Sequence, residues 1–316
     1  MEKRDAIRTA EAVQTQLQPL VSRWKENNIA VILDAPMKAY TSFKAGGSAA
    51  ALVTAETVEQ LQQVLADVAA AGMPSMLLGN GSNTLFRDSG YHGVVIKLGE
   101  SFADFFHDGS GRVTAGASVL MSVLAKYLLR ESLTGFEFAS GIPGSLGGAV
   151  FMNAGAYGGE LKDILVSARA VSRDGSEIRE FTAEELQLSY RHSALEDNGY
   201  IVVSAVLQLK PGNPEEIQGK MRELMEKRNS KQPVQYPSAG STFKRPEGYF
   251  AGKLIEDAGL KGVAVGGAQV SVLHSGFVIN TGGATATDIL DLIRLVQNTV
   301  YDKFGVKLEP EVRIIG

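Results

Sequence analysis

Two glycine-rich stretches hold the residues best suited to gripping a ligand. The first is Gly79-Asn80-Gly81-Ser82-Asn83. The second is Gly141-Ile142-Pro143-Gly144-Ser145-Leu146-Gly147-Gly148, followed by Met152-Asn153-Ala154-Gly155-Ala156-Tyr157-Gly158-Gly159. Fixing a glycine costs more backbone entropy than fixing any other residue, so dense glycine interleaved with Ser and Asn calls for a compensating role. Backbone brought very close to a ligand is such a role. Successive N–H groups turned the same way form a concave anion site. Two such stretches on one chain point to an extended diphosphate, and so to a dinucleotide. Tight turns alone are the competing account of each stretch.

Composition removes several other chemistries. The chain has 316 residues and no cysteine, which excludes disulfides, thiolate metal sites, iron–sulfur ligation and a catalytic thiol. Its four histidines, His92, His107, His192 and His274, include no pair with the spacing of a helical zinc site, so no metal is expected. The net charge of −4, with Lys and Arg scattered, gives no electrostatic footprint for nucleic acid. No apolar run reaches the roughly 18 residues of a membrane span. Residues 1–25 read as neither a secretory signal nor a transit peptide. A cytoplasmic protein with no obligate protein partner is the expectation, and the length suggests two or three domains.

The elements that must position the glycine stretches are legible in part. Apolar spacing predicts helices over 5–28, 57–71 (Thr57 as cap), 119–131, 215–227 and 286–304 (Thr285 or Thr287 as cap). Strands are predicted at 30–33, 73–78, 94–98, 112–115, 165–172, 199–209 and 277–280. Pro211-Gly212-Asn213-Pro214 is the strongest boundary signal. Strands and helices mix without strict alternation, which makes the fold class α+β. A Rossmann reading of the first stretch fails on two counts: the third glycine is missing, and the ten residues from Thr84 to Gly93 leave no room for a crossover helix. No Walker loop is present.

With those blocks in place, the chain resembles the UDP-N-acetylenolpyruvoylglucosamine reductases, bacterial flavoenzymes of peptidoglycan precursor synthesis. The resemblance rests on seven ordered blocks: Thr41-Ser42-Phe43-Lys44-Ala45-Gly46-Gly47, the 79–83 stretch, Gly141-Ile142-Pro143-Gly144-Ser145, Asn153-Ala154-Gly155-Ala156-Tyr157-Gly158, Tyr190-Arg191-His192-Ser193, Gly240-Ser241-Thr242-Phe243-Lys244, and Pro310-Glu311-Val312. It implies a flavin domain of the vanillyl-alcohol-oxidase (PCMH) type over 37–210, in two lobes with FAD between them. A substrate-binding domain over 211–316 would follow, and residues 1–36 would form a helix and short strand outside both. FAD would be held by Gly79, Asn80, Gly81, Ser82, Asn83, Gly141, Pro143, Gly144, Ser145, Gly148, Asn153 and Gly155. With no Cys, and no His in either stretch, its attachment would be non-covalent. The short connection from Leu209 into the helix from Glu215 leaves no room for the extra Tyr-bearing loop of one form of the family, so the shorter form is expected.

The implied reaction reduces an enolpyruvyl ether on UDP-N-acetylglucosamine to the lactyl ether of UDP-N-acetylmuramate, hydride passing from NADPH to FAD to substrate. By the resemblance, Arg191 stabilises the enediolate-like state, as a guanidinium can grip a carboxylate at two points. Glu311 would assist it in its protonated form, because a bare carboxylate would repel the developing charge. Ser241 would donate the proton to the other carbon. Tyr190, Lys231, Arg245 and His274 are the expected contacts to UDP or the substrate carboxylate. Glu309, two residues before Glu311, is the alternative carboxyl. The chain departs from the family pattern at Arg245, where Asn is common, and at His274, where the long form has Gln. His192 carries no expected role.

Overall fold

The computed structural model describes residues 2–316, with side chains from Val13 onward. Its chain divides into two compact units that follow packing rather than chain order. The first gathers Met1–Ile32, Ala51–Asn80 and Gly93–Lys227; the second gathers Leu33–Ala50, Gly81–His92 and Arg228–Gly316.

The first unit is built on a five-stranded antiparallel sheet, ordered Ile178–Thr182, Leu165–Val171, Ile201–Gln208, Arg112–Gly116, Phe105–His107. Val203, Ala205 and Leu207 alternate inward on the central strand, as period-2 patterning requires. The helices Met121–Arg130 and Leu146–Phe151 supply Met121, Leu124, Leu128, Leu146, Ala149 and Val150 to the core that also takes Val113, Ala115 and Ala168. In another, four-stranded sheet Ser75–Leu77 pairs in parallel with the strand Tyr91–Leu98, with Ser75 opposite Val94 and Leu77 opposite Ile96. The helix Val58–Ala70 begins at Thr57, whose hydroxyl accepts from Gln60 N at 3.2 Å, as the sequence predicts. On it, nearly buried Asp67 accepts from the indole Nε1 of Trp24 at 2.9 Å and from Arg23 at 2.5 Å. This docks the N-terminal helix Glu2–Glu26, whose Trp24 and Leu17 are fully buried.

The second unit packs the long helix Ala286–Phe304 on a three-stranded antiparallel sheet, Ala264–Val265, Ala268–Val270, Val278–Asn280. Ile289, Leu292, Ile293, Val296 and Val300 form its apolar stripe, at the i, i+3, i+4, i+7 spacing visible in the sequence. A parallel pair, Arg313–Ile315 with Thr84–Phe86, completes it. The residues after the first glycine stretch therefore enter a strand with no crossover helix, which is the physical ground on which the Rossmann reading fails.

Several short strands escaped the sequence reading, Phe105–His107 and Ile178–Thr182 among them, and so did four elements with plain physical reasons. The alanine-rich strand Ser48–Ala55 carries too few β-branched residues to announce itself. The helices Ala251–Asp257 and Ala194–Asn198 are one or two turns long. The helix Leu146–Phe151 lies inside the second glycine stretch. It is dictated by packing: a Cβ on Gly147 would stand 2.8 Å from that of Ala117, and Gly147 N donates to Ala117 O at 2.8 Å. This glycine serves helix–sheet contact rather than a ligand.

The helix Ala286–Phe304 has two caps. Thr285 and Asp288 form a capping box. From the loop after the first glycine stretch, Asp88 accepts from Ala286 N (2.9 Å), Thr287 N (2.7 Å) and the Thr287 hydroxyl (2.7 Å). Burial opposes the Asp88 charge, but the Thr287 hydroxyl and the two N–H groups outweigh it and hold the carboxyl below the usual aspartate range. A depressed carboxyl stabilises the fold above its unfolded value, near pH 4, and loses that contribution as pH falls through its native value. Asp88→Ala should lower stability by about 1 kcal/mol at pH 7, less than a buried cap because Asp88 is solvent-exposed. The difference between the urea curves of the two proteins should shrink as pH falls below about 4, the ordinary aspartate value; a difference that does not shrink there would show that the carboxylate charge is not what caps the helix.

Candidate active site

In the first unit, the start of the first glycine stretch lies against the second stretch. Asn80 Nδ2 donates to Pro143 O at 2.6 Å. A Cβ on Gly79 would stand 2.8 Å from Ser145 Oγ, so only glycine allows this approach. Lys97, on the strand Tyr91–Leu98, donates to Gly79 O at 3.1 Å. The second stretch is anchored by Met121 N to Gly144 O (3.0 Å) and Leu146 N to Val119 O (2.8 Å). These bonds use carbonyls of the loop and amides of the helix. Among the described residues, no hydrogen bond takes the N–H groups of Gly79, Asn80, Gly141, Gly144 or Ser145. Gly148 is exposed, whereas Gly147 is buried.

In the second unit, Gly81, Ser82 and Asn83 likewise have N–H groups with no acceptor among the described residues. Gly81 has φ +65°, and a Cβ there would lie 2.0 Å from Tyr40 O. Beside it, the buried Thr41 hydroxyl has no partner. Clusters of unclaimed main-chain donors and an orphaned hydroxyl suit a group rich in acceptor oxygens, and the diphosphate of FAD is such a group.

Asn153 is fully buried at φ +43°, and its amide is committed inside the protein. Nδ2 donates to Glu160 Oε2 and to Ser189 O, both at 2.9 Å, while Oδ1 accepts from Lys162 N at 3.0 Å. Ser193, also fully buried, donates to Phe151 O at 2.5 Å. Asn153 and Ser193 thus clamp both ends of the turn Ser189–His192, which closes through paired backbone bonds at 3.1 and 3.2 Å. Arg191 sits in that turn at φ +56°, a conformation unusual outside glycine. Its guanidinium donates to Gly155 O at 3.2 Å and lies 5.1 Å from the centre of the half-exposed Tyr190 ring. Lys162 chiefly, with Asn153 and Arg191, keeps the Glu160 carboxyl below the usual range. Local strain holding a cation in place is a common signature of a functional residue. His192 instead meets Glu196 and Asp197 at 3.3 and 3.4 Å on the surface.

Ser241 and Glu311 come together in the second unit through fully buried Thr242. Thr242 N donates to Gly276 O (2.8 Å), its hydroxyl accepts from Val278 N (2.9 Å), and its carbonyl accepts from Glu311 N (2.8 Å). Ser241 is exposed beside this pivot, after Gly240 at φ +75°. Asn83 Nδ2 donates to Glu311 O at 3.1 Å, and Arg313 N donates to Asn83 O at 3.0 Å. The last residue of the first glycine stretch therefore sets the strand that carries Glu311. The carboxyls at 309 and 311 part company here: Glu309 is exposed and paired with Lys244 at 2.9 Å, while Glu311 is half-buried.

Two of the four expected substrate contacts gather at the start of the helix Ala251–Asp257. Arg245 stacks 4.0 Å from the centre of the exposed Phe250 ring, and its Nε donates to Tyr249 O at 3.3 Å. His274 packs edge-on to Phe277 and against Gly252. Next to it the buried Ser275 hydroxyl has no partner. Lys231 stands apart, exposed at the end of the helix Pro214–Lys231, where a cation also complements the helix dipole. Thr242, Ser193 and Lys97 escaped the sequence reading; the first two sit inside quoted blocks, but only burial reveals their work.

Fold and site together describe an FAD-dependent oxidoreductase of α+β class, a PCMH-type flavin fold in two lobes followed by a C-terminal α+β substrate domain. Residues 49–180 match the family profile of the FAD binding domain, and residues 232–315 match that of the UDP-N-acetylenolpyruvoylglucosamine reductase C-terminal domain. The reductase of that name from Alkaliphilus oremlandii is 54% identical over 286 residues, 90% of this chain and 93% of the relative. The one from Clostridioides difficile is 52% identical over 284 residues, with the same coverages. A crystal structure of the Thermus caldophilus reductase superposes with a TM-score of 0.78 at 38% identity, over 91% of this chain and 99% of the other. The chain belongs to the UDP-N-acetylenolpyruvoylglucosamine reductase family, enzymes of peptidoglycan precursor synthesis. No described helix is long and apolar enough to cross a membrane.

His274 has a fixed tautomer. Gly276 N donates to its Nδ1 at 3.1 Å, so the ring proton sits on Nε2 and can be donated to a ligand. Burial pushes its pKa down. A lowered imidazole keeps the fold at full stability above its unfolded value near 6.5, and stability falls as pH drops below that value. Nitrogen-15 NMR should show neutral, Nε2-protonated His274 at pH 7.5; an Nδ1-protonated or doubly protonated ring there contradicts the assignment.

Proposed function

We propose that this chain reduces the enolpyruvyl ether of UDP-N-acetylglucosamine to UDP-N-acetylmuramate, with NADPH as the reductant and non-covalent FAD. The observations that carry the reading are the unclaimed N–H groups of Gly79, Asn80, Gly141, Gly144 and Ser145 in the first unit and, within the second, those of Gly81, Ser82 and Asn83 together with a serine and a carboxyl fixed by one pivot. Bound FAD would supply the redox chemistry, the relay of hydride from NADPH to the terminal carbon of the double bond. The protein's part is position, charge and a proton. The loops at 79–83 and 141–145 grip the diphosphate through main-chain donors. Gly148 leaves the backbone open, Gly155 lets its strand close on Glu160, and Asn153 fixes the Arg191 turn. A UDP-sugar with a charged tail and NADPH are the partners this surface is suited to, and the work is cytoplasmic.

Arg191 holds the substrate carboxylate as charge moves into it; the strained turn aims the guanidinium in advance, so little reorganisation is left for the reaction. Glu311 assists at the same oxygens. Ser241 gives a proton to the second carbon, its exposed hydroxyl being replenished through water. Tyr190, Lys231, Arg245 and His274 bind the nucleotide sugar, with the Nε2–H of His274 as one donor.

Two half-reactions separate these roles. Ser241→Ala should let NADPH bleach the flavin at the wild-type rate and slow its reoxidation by substrate by about 100-fold or more. Equal losses in both halves would sink the proton-donor role. Wild-type enzyme that bleaches but does not recolour on adding the enolpyruvyl substrate would refute the substrate assignment. Between the two carboxyls, Glu311→Gln should lower kcat by roughly 100-fold while Glu309→Gln stays within about 2-fold; the reverse order would transfer the role to Glu309.

A further inference from the structure

Lys97 is a cation without a counter-charge. It projects from the strand Tyr91–Leu98, half-buried, and its ammonium donates to Gly79 O at 3.1 Å. Among the described residues no carboxylate pairs with it. Burial alone pushes its pKa down, with no charged neighbour acting on it. Lys162, just beyond the second glycine stretch, shows the contrast: it is paired with Glu160 at 2.8 Å and its pKa is raised. Withdrawing an ammonium from water without an anion is costly, and one carbonyl offsets only part of that cost.

The bond to Gly79 O also places the charge. Gly79 is the residue whose Cα faces Ser145 Oγ, and its neighbour Asn80 is bonded to Pro143 O. The ammonium is therefore fastened to the loop whose N–H groups have no acceptor, with donors left for another oxygen. Main-chain N–H groups carry only partial charges, and the chain as a whole is acidic. A doubly anionic ligand held by them alone would lack a full positive charge nearby.

We propose that Lys97 is a binding residue for a phosphate group of the dinucleotide, supplying the full charge that the main-chain donors of residues 79–80 and 141–145 do not. This rests on the flavin reading above and adds a residue to it. The ammonium is fixed by a carbonyl so that it does not wander into solvent when the ligand leaves. Removing it weakens ligands that carry the phosphates and spares those that lack them.

The test uses apoprotein prepared by flavin removal, with FAD and riboflavin as probes followed by fluorescence quenching. Lys97→Met should weaken FAD by about 10- to 100-fold, the range of a charge-assisted hydrogen bond. Its riboflavin affinity should match wild type, and its FAD affinity should depend less steeply on salt. Lys97→Arg should stay closer to wild type than Lys97→Gln, which covers the case in which the methionine variant does not fold. Equal weakening of FAD and riboflavin would make Lys97 a structural support and overturn the proposal. Unchanged FAD affinity with a shifted flavin reduction potential would place the charge at the ring and also overturn it. Wild-type apoprotein that binds no FAD would sink the flavin reading itself, a result distinct from either.

Discussion

Unclaimed main-chain N–H groups are the constraint around which this protein is organised. A folded chain satisfies nearly all of its backbone donors, and those left open are either at the surface or reserved for a ligand. Here they recur at residues 79–83 and at 141, 144 and 145. Holding them open takes support from behind. Val119, Met121 and Ala117 bond to the second stretch from behind, and Asn80 bonds to Pro143 O within it. Tyr40 and Thr41 close in on Gly81 so tightly that no side chain fits. The glycines are therefore of two kinds. Gly79 and Gly81 permit close approach at the loops, whereas Gly147 permits a helix to sit on Ala117.

The chemistry-bearing side chains are held by the same logic of buried supports and exposed tips. Asn153 and Ser193 have no exposed surface, and they clamp the turn that presents Arg191. Thr242 is sealed, and its three bonds set Ser241 beside the strand of Glu311. Asn83 ties that strand to the end of the first glycine stretch. In each case a short polar side chain does its work through the backbone of a neighbour. Such residues fix geometry to within a hydrogen bond, which is the tolerance that proton donation and charge stabilisation demand.

Legibility differed by element for physical reasons. The helices Val58–Ala70 and Ala286–Phe304 were readable to within a residue because cap and apolar stripe agree. The strand Ile201–Gln208 was readable from its alternation. The strand Ser48–Ala55 was not, since alanine has no strand preference and gains its place by packing. At the site, the glycine blocks and the Arg, Ser and Glu positions stood out by motif. Lys97 did not, because a lone lysine on a strand looks like any surface cation until its burial and its missing partner are known.

By itself the sequence determined the class of ligand, the absence of thiol chemistry, the failure of a crossover-helix nucleotide fold, and the family. These follow from residue types and short-range spacing, which the chain carries locally. Only the tertiary structure decided which segments share a core: residues 33–50 and 81–92 pack with the C-terminal region, although they are distant from it in the chain. It also decided that Glu311 rather than Glu309 turns from solvent, and that Asn153 is a clamp. Long-range packing sets burial and partners, and neither is encoded in any single stretch of residues.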